Sequence, residues 1–93
     1  MLNKDKFKVG GINYKVRYKD TVEYADDKNN FGLCNYKKNE IHILNVLEEQ
    51  RKEQVLVHEL THAIFNESGY TEQDEEMVER VSIVLHQFIK DNF

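Results

Sequence analysis

The sequence predicts an α+β domain in which a small antiparallel sheet of three to four strands is followed by two helices. Two observations predict it. Residues 6–44 carry short runs in which apolar and polar side chains alternate, the period of a half-buried strand. From about residue 46 to residue 92 the apolar positions recur at helical spacing, interrupted once at Ser68-Gly69. The 93 residues contain no proline, no internal repeat and no Pro/Gly/Ser-rich linker, so residues 1–93 read as a single domain.

Phe7-Lys8-Val9 and Ile12 to Tyr18 flank Gly10-Gly11. Both glycines tolerate the positive φ that a two-residue hairpin turn needs, and Ile12, Tyr14, Val16 and Tyr18 alternate with polar neighbours. The pair is a hairpin. Asp20 to Asn30 is polar apart from Val22 and Tyr24 and fits either a loop or a short helical turn. Phe31–Tyr36 and Glu40–Leu44 around Lys37-Lys38-Asn39 give a second hairpin with Ile41 and Ile43 inward. Asn45, followed by Glu48 and Glu49, reads as the cap of a helix running to Asn66. Thr71 with Asp74 opens the last helix, whose Met77, Val81, Leu85 and Phe88 form the face expected to pack on the first.

Composition narrows the function. A formal charge of −4 and a pI near 5.5 count against a polyanion partner, so nucleic acid is not expected. One cysteine, Cys34, allows no internal disulfide and no Cys-rich metal site. No apolar run has the length of a signal peptide or membrane span, so no membrane partner is expected and a cytoplasmic location follows by default.

The chemistry is concentrated in His58-Glu59-Leu60-Thr61-His62, which is His-Glu-x-x-His inside the first helix. At about 100° per residue, positions i and i+4 lie roughly 40° apart, so both imidazoles can face one ion. Glu59, about 100° from His58, reaches a water on that ion without taking a ligand position. Zinc lowers the pKa of such a water towards about 7, and a carboxylate can take its proton during attack on a carbonyl. Shuffling would place the pattern in only about one or two chains per hundred, so chance is a poor account of it.

An open hydrolytic site needs a third protein ligand. Metzincins supply it through His-x-x-Gly-x-x-His, but Phe65 and Ser68 occupy the Gly and final His positions here. The motif resembles instead that of gluzincins, which use a Glu on the following helix; Glu72, Glu75, Glu76 and Glu79 are available. Glu75 stands at the border of the apolar face, while Glu76 and Glu79 point away from it, so Glu75 is the expected ligand. Glu79, one turn later, is placed to hold a ligating histidine.

The stretch HELTHAIFNESGY followed by DEEMVERVSIVLHQFIKDN resembles the small phage- and prophage-encoded metallopeptidases related to the ImmA/IrrE-type family. The upstream GLCNYKKNEIHI is similar to their strand pair before the active-site helix. The resemblance implies a minimal zincin with zinc as cofactor, and a protein or peptide as substrate, a regulatory protein among the candidates. Glu75-x-x-x-Glu79 is similar to the gluzincin Glu-x-x-x-Asp pattern, with Glu in place of Asp at position 79.

Tyr24, Tyr36, Tyr70, His42 and His86 are candidates for a second oxyanion donor, and spacing singles out none of them. Cys34 has no paired base nearby in sequence and is read as a packing residue. Two rival readings stand beside the zinc peptidase. One is a catalytically inactive zincin-fold module that binds a phage or host regulatory protein, against which the presence of Glu59 argues. The other is a structural zinc domain, against which a two-His, one-carboxylate set with an open position argues.

Overall fold

Alternating residues in the first half form four strands: β1 (Lys6–Val9), β2 (Ile12–Lys19), β3 (Gly32–Asn35) and β4 (Glu40–Leu44). Helices α1 (Glu49–Glu67) and α2 (Glu75–Asn92) follow. The computed structural model describes residues 2–24 and 30–93; part of the open reading for Asp20 to Asn30, residues 25–29, lies outside them. The α+β class and the order of sheet then helices are as the sequence predicts.

Both hairpins form. Gly10 and Gly11 turn the first at φ 58° and 86°, and Asn39 closes the second at φ 54°, a left-handed position that Asn accepts better than most residues. The sheet order is β1-β2-β4-β3, and one pairing departs from the all-antiparallel expectation. β2 and β4 run parallel, with Val16 opposite Ile41 and Tyr18 opposite Ile43. The reason lies in the connection: the chain after β2 crosses to the far edge, lays down β3 there and returns by a hairpin into the central position. Joining strands in the same direction requires such a long crossover. Local alternation specifies each hairpin but not how two hairpins meet.

One face of this mixed sheet carries Tyr14, Val16, Ile41 and Ile43, which pack with Val55, Leu56, Leu60 and Ala63 of α1 to make the core. Helix α1 is buried around most of its circumference, because the sheet lies on one side and α2 on another. It begins later than expected. Asn45 N–H donates to the Lys19 carbonyl and so continues the β2–β4 ladder instead of capping a helix, and Glu48 takes the cap position without a side-chain bond. At the other end Gly69, at φ 98°, carries the chain out of α1 as expected, with Ser68 N–H on Ile64 and Tyr70 N–H on Phe65.

Helix α2 is capped by Asp74, whose side chain accepts from Glu76 N–H at 3.0 Å, so it starts at Glu75 and not at Thr71. It packs on α1 and touches no strand. Its packing face also differs from the expected one. Val78 and Ser82 are buried, with Leu85, His86 and Ile89 half-buried beside them, whereas Met77, Val81 and Phe88 belong to an exposed stripe that continues through Val84. The face in use is rotated by about one residue because it includes Ser82 and His86, which an apolar pattern cannot select.

Candidate metal centre

His58 and His62 leave α1 one turn apart with ring centroids 5.0 Å from each other, and both side chains are more than four-fifths buried. Glu75 comes to them from the first turn of α2. Its Oε1 lies 2.8 Å from His58 Nε2 and its Oε2 3.2 Å from His62 Nε2. The packing of α2 explains the meeting: Glu75 is three residues before Val78 and seven before Ser82, so it lies on the packing face itself and not at the border of one. The three residues offer ligand atoms that all fall within 4.8 Å of one another.

The outer ring nitrogens are held as well. Glu79 Oε2 stands 2.7 Å from His58 Nδ1, and Gln73 Oε1 stands 2.6 Å from His62 Nδ1. The Gln73 amide is oriented by its own donors, since Nε2 bonds to the carbonyls of His62 and Tyr70 and to the Tyr36 hydroxyl. Its oxygen is therefore left to accept, and His62 Nδ1 carries the proton. With the proton at Nδ1, His62 Nε2 is the atom that can offer a lone pair to a cation beside the Glu75 carboxylate. Glu79 sets up the same tautomer in His58. Two lone pairs facing one carboxylate repel unless a proton or a cation stands between them, so the donor set fits a metal ion.

Glu59 lies one residue beyond His58 and is only 7% exposed. Burial pushes its carboxyl up to about 7; His62 pulls it down and Glu75 adds to the rise. The carboxylate is seated against β3: a Cβ built on Gly32 would come within 3.1 Å of Glu59 Oε2 and 2.5 Å of Val55 Cγ1. Gly32 thus lets α1 lie close on the edge strand. A cleft of about 730 Å³ opens beside these groups, between α1, α2 and residues 30–32.

The remaining candidates separate. Tyr36 is the tyrosine that reaches the centre, through Gln73 and, at 3.5 Å, the His62 carbonyl; burial pushes its hydroxyl up to about 12. Tyr24 and Tyr70 are exposed, the latter with its ring edge against Phe65. His42 pairs with Glu40 on the sheet, away from the centre, and His86 lines the cleft but is bound at 2.8 Å by Glu53. Burial raises the Cys34 thiol to about 12, which keeps it protonated and unreactive. Glu72 is exposed, and Glu76 turns to Arg80 at 2.7 Å. Sequence reading missed Gln73. It sits in the connection between the helices, where no periodicity marks it, and only the return of the chain over His62 reveals it.

Compared with known families, residues 11–85 match the model of the M78 peptidases, described as the IrrE N-terminal-like domain. No curated protein and no solved structure matches the chain. Among the described residues no helix is long and apolar enough to cross a membrane.

Proposed function

We infer that this chain, which belongs to the M78, IrrE N-terminal-like peptidase family, is a zinc-dependent metallopeptidase that cleaves a protein or peptide substrate. The observation that carries the reading is the approach of the Glu75 carboxylate to Nε2 of both histidines while Glu79 and Gln73 hold their Nδ1 atoms. His58, His62 and Glu75 would hold the ion, and two imidazoles with one carboxylate are a donor set that suits zinc and leaves a fourth position open. When bound, the zinc supplies an electrophile for the scissile carbonyl and acidifies water at that open position.

The chain's own residues account for the remaining chemistry. Glu59, near the ligands but not one of them, takes the proton from the attacking water and returns it to the leaving amine. Burial raises this carboxyl, which favours its holding the proton for the leaving group, and the charge of a bound zinc would favour the ionised form that takes the proton first. Glu79 and Gln73 keep the imidazole tautomers that leave Nε2 free to bind, and the Tyr36 hydroxyl steadies Gln73. The half-enclosed cleft receives the substrate. The acidic total charge supports a peptidase acting on protein and not on nucleic acid, and the lone cysteine suits a reducing, intracellular setting.

The test pairs metal analysis with cleavage of a peptide library. Wild type is expected to bind about one zinc per chain and to cleave; Glu59→Gln is expected to keep zinc and fold while cleavage is lost. His62→Ala is expected to lose most of the zinc. Zinc retained in full by His62→Ala would overturn the ligand assignment, and turnover unchanged in Glu59→Gln would remove Glu59 from the reaction.

A further inference from the structure

We propose that Arg51 is a specificity-determining residue that binds a substrate carboxylate two or three residues from the scissile bond. The inference rests on the peptidase reading above and names the substrate class for that site.

Three observations support it. First, Arg51 lines the same cleft as His58, Glu59 and Glu75. Residues 51, 54, 55 and 58 recur at helical spacing and form the α1 wall of that cleft, so Arg51 marks the end opposite the metal centre. Second, among the described residues Arg51 is the one Lys or Arg in the lining, whereas Glu59, Glu75 and Glu79 stand at the metal end, where a bound zinc would offset their charge. An acidic side chain on the substrate therefore meets, away from the metal centre, a permanently charged cation in the cleft wall.

Third, Arg51 is the arginine whose charge is not already used. Arg17 faces Glu40 at 3.3 Å and Arg80 faces Glu76 at 2.7 Å, whereas Arg51 Nη1 donates at 2.9 Å to the neutral Gln54 amide and, among the described residues, forms no ion pair. Lys52 and Lys90, which line a separate pocket, are paired with Glu49 and Glu53, and the His86 ring in the cleft is also met by Glu53. A planar guanidinium in the wall of an open cleft, with donors beyond the one given to Gln54, is suited to a carboxylate, which it can grip with two hydrogen bonds.

The distance sets the substrate position. Seven residues of helix separate Arg51 from His58, about 10 Å at 1.5 Å per residue. An extended peptide advances about 3.3 Å per residue, so the carboxylate falls two or three residues from the bond held at the metal. Phe31 and Ile83, both exposed apolar side chains, line the cleft and offer contact to the residues between. The carboxylate can be an Asp or Glu side chain or the substrate's own C-terminus.

The experiment uses the full chain loaded with zinc and two random peptide libraries, one blocked at both ends and one with a free C-terminus, with products sequenced by mass spectrometry. Expected for a side-chain carboxylate is enrichment of Asp and Glu at one position, two or three residues from the cut, in both libraries. Expected for a terminal carboxylate is cleavage two or three residues from the free C-terminus and little cleavage of the blocked library. In either case Arg51→Gln is expected to reduce kcat/KM for the acidic substrate about ten- to a hundredfold, the scale of one charge-assisted interaction, and to leave a neutral substrate unchanged. Cleavage by wild type without acidic preference, or the same preference in Arg51→Gln, would overturn the role of Arg51 and leave the peptidase reading standing. Cleavage of no peptide by wild type would overturn the peptidase reading, and this inference with it.

Discussion

Replacing Gly32 with alanine tests the contact that seats α1 on the edge strand. The added Cβ would lie 2.5 Å from Val55 Cγ1, where two carbons prefer about 3.5–4.0 Å, so the atoms must part by about 1 Å or more. Val55 cannot simply swing away. A β-branched side chain in a helix has one strongly preferred χ1, and Val55 is itself buried in the core. The Glu59 atoms at 3.1 and 3.2 Å are the milder part of the clash, because a longer side chain can adjust. The strain falls on the spacing between β3 and α1, and overpacking of this kind costs about 1–3 kcal/mol. Urea denaturation of the metal-free proteins, followed by circular dichroism, measures the loss without a contribution from bound metal. The decisive comparison is Gly32→Ala/Val55→Ala. With Cγ1 gone the alanine at 32 has room, so the double variant is expected to match Val55→Ala alone to within about 0.5 kcal/mol. Additive losses, or a Gly32→Ala variant as stable as wild type, would refute the argument that this glycine exists to admit α1.

Zinc titrations of variants in one buffer are expected to rank Glu75→Ala as most damaging; Glu79→Ala and Gln73→Ala should each weaken binding about 10- to 100-fold, and Glu76→Ala should change little. Gln73→Ala matching wild type would remove the amide from the site. In the metal-free chain, Glu59 binds a proton when folded up to about pH 7 but, when unfolded, only up to its ordinary 4.5. Below that lower value the two states are equally protonated; between the two values stability falls as pH rises; above about 7 the loss stays at about 3 kcal/mol. Unfolding across pH 4–8 beside Glu59→Gln measures it, and parallel pH profiles would refute a buried, elevated carboxyl. Val78→Ala, on the face of α2 against α1, is expected to cost more than 1 kcal/mol, while Val84→Gln, on the exposed stripe, is expected to stay within about 0.5 kcal/mol. The reverse order would restore the face that the sequence pattern suggested.

What could be read in the sequence depended on the range of the interaction. The two hairpins were legible because their turns are local: Gly10-Gly11 and Asn39 adopt the left-handed backbone that their residue types favour. The parallel β2–β4 contact was not legible, since it joins residues 25 positions apart, as in Val16 and Ile41, and no local period encodes it. The cap of α1 was misplaced for a related reason. Asn45 has the side chain of a cap, but its backbone is claimed by the ladder to Lys19.

The centre shows how a residue can be placed beside the histidines from a partly wrong premise. Glu75 was selected as the border of a face running through Met77, Val81, Leu85 and Phe88, and of these only Leu85 is turned into the helix contact. The face in use passes through Val78, Ser82 and His86. Apolar patterning could not find it because a serine and a histidine belong to it: Ser82 bonds to the Glu79 carbonyl, and His86 is met by Glu53 from α1. Rotating the helix to that face moves Glu75 from the margin to a place between the two imidazoles, and brings Glu79 round to His58 Nδ1. Both carboxylates, four residues apart, can then serve one histidine from opposite ring nitrogens. A packing error of one residue therefore changed neither placement: Glu75 still meets the imidazoles, and Glu79 still reaches a histidine, as its position one turn later suggested. Since, among the described helices and strands, α2 packs on α1 alone, the contact made by Val78 and Ser82 that holds the helix down also fixes Glu75 and Glu79, and a substitution there would disturb both carboxylates together.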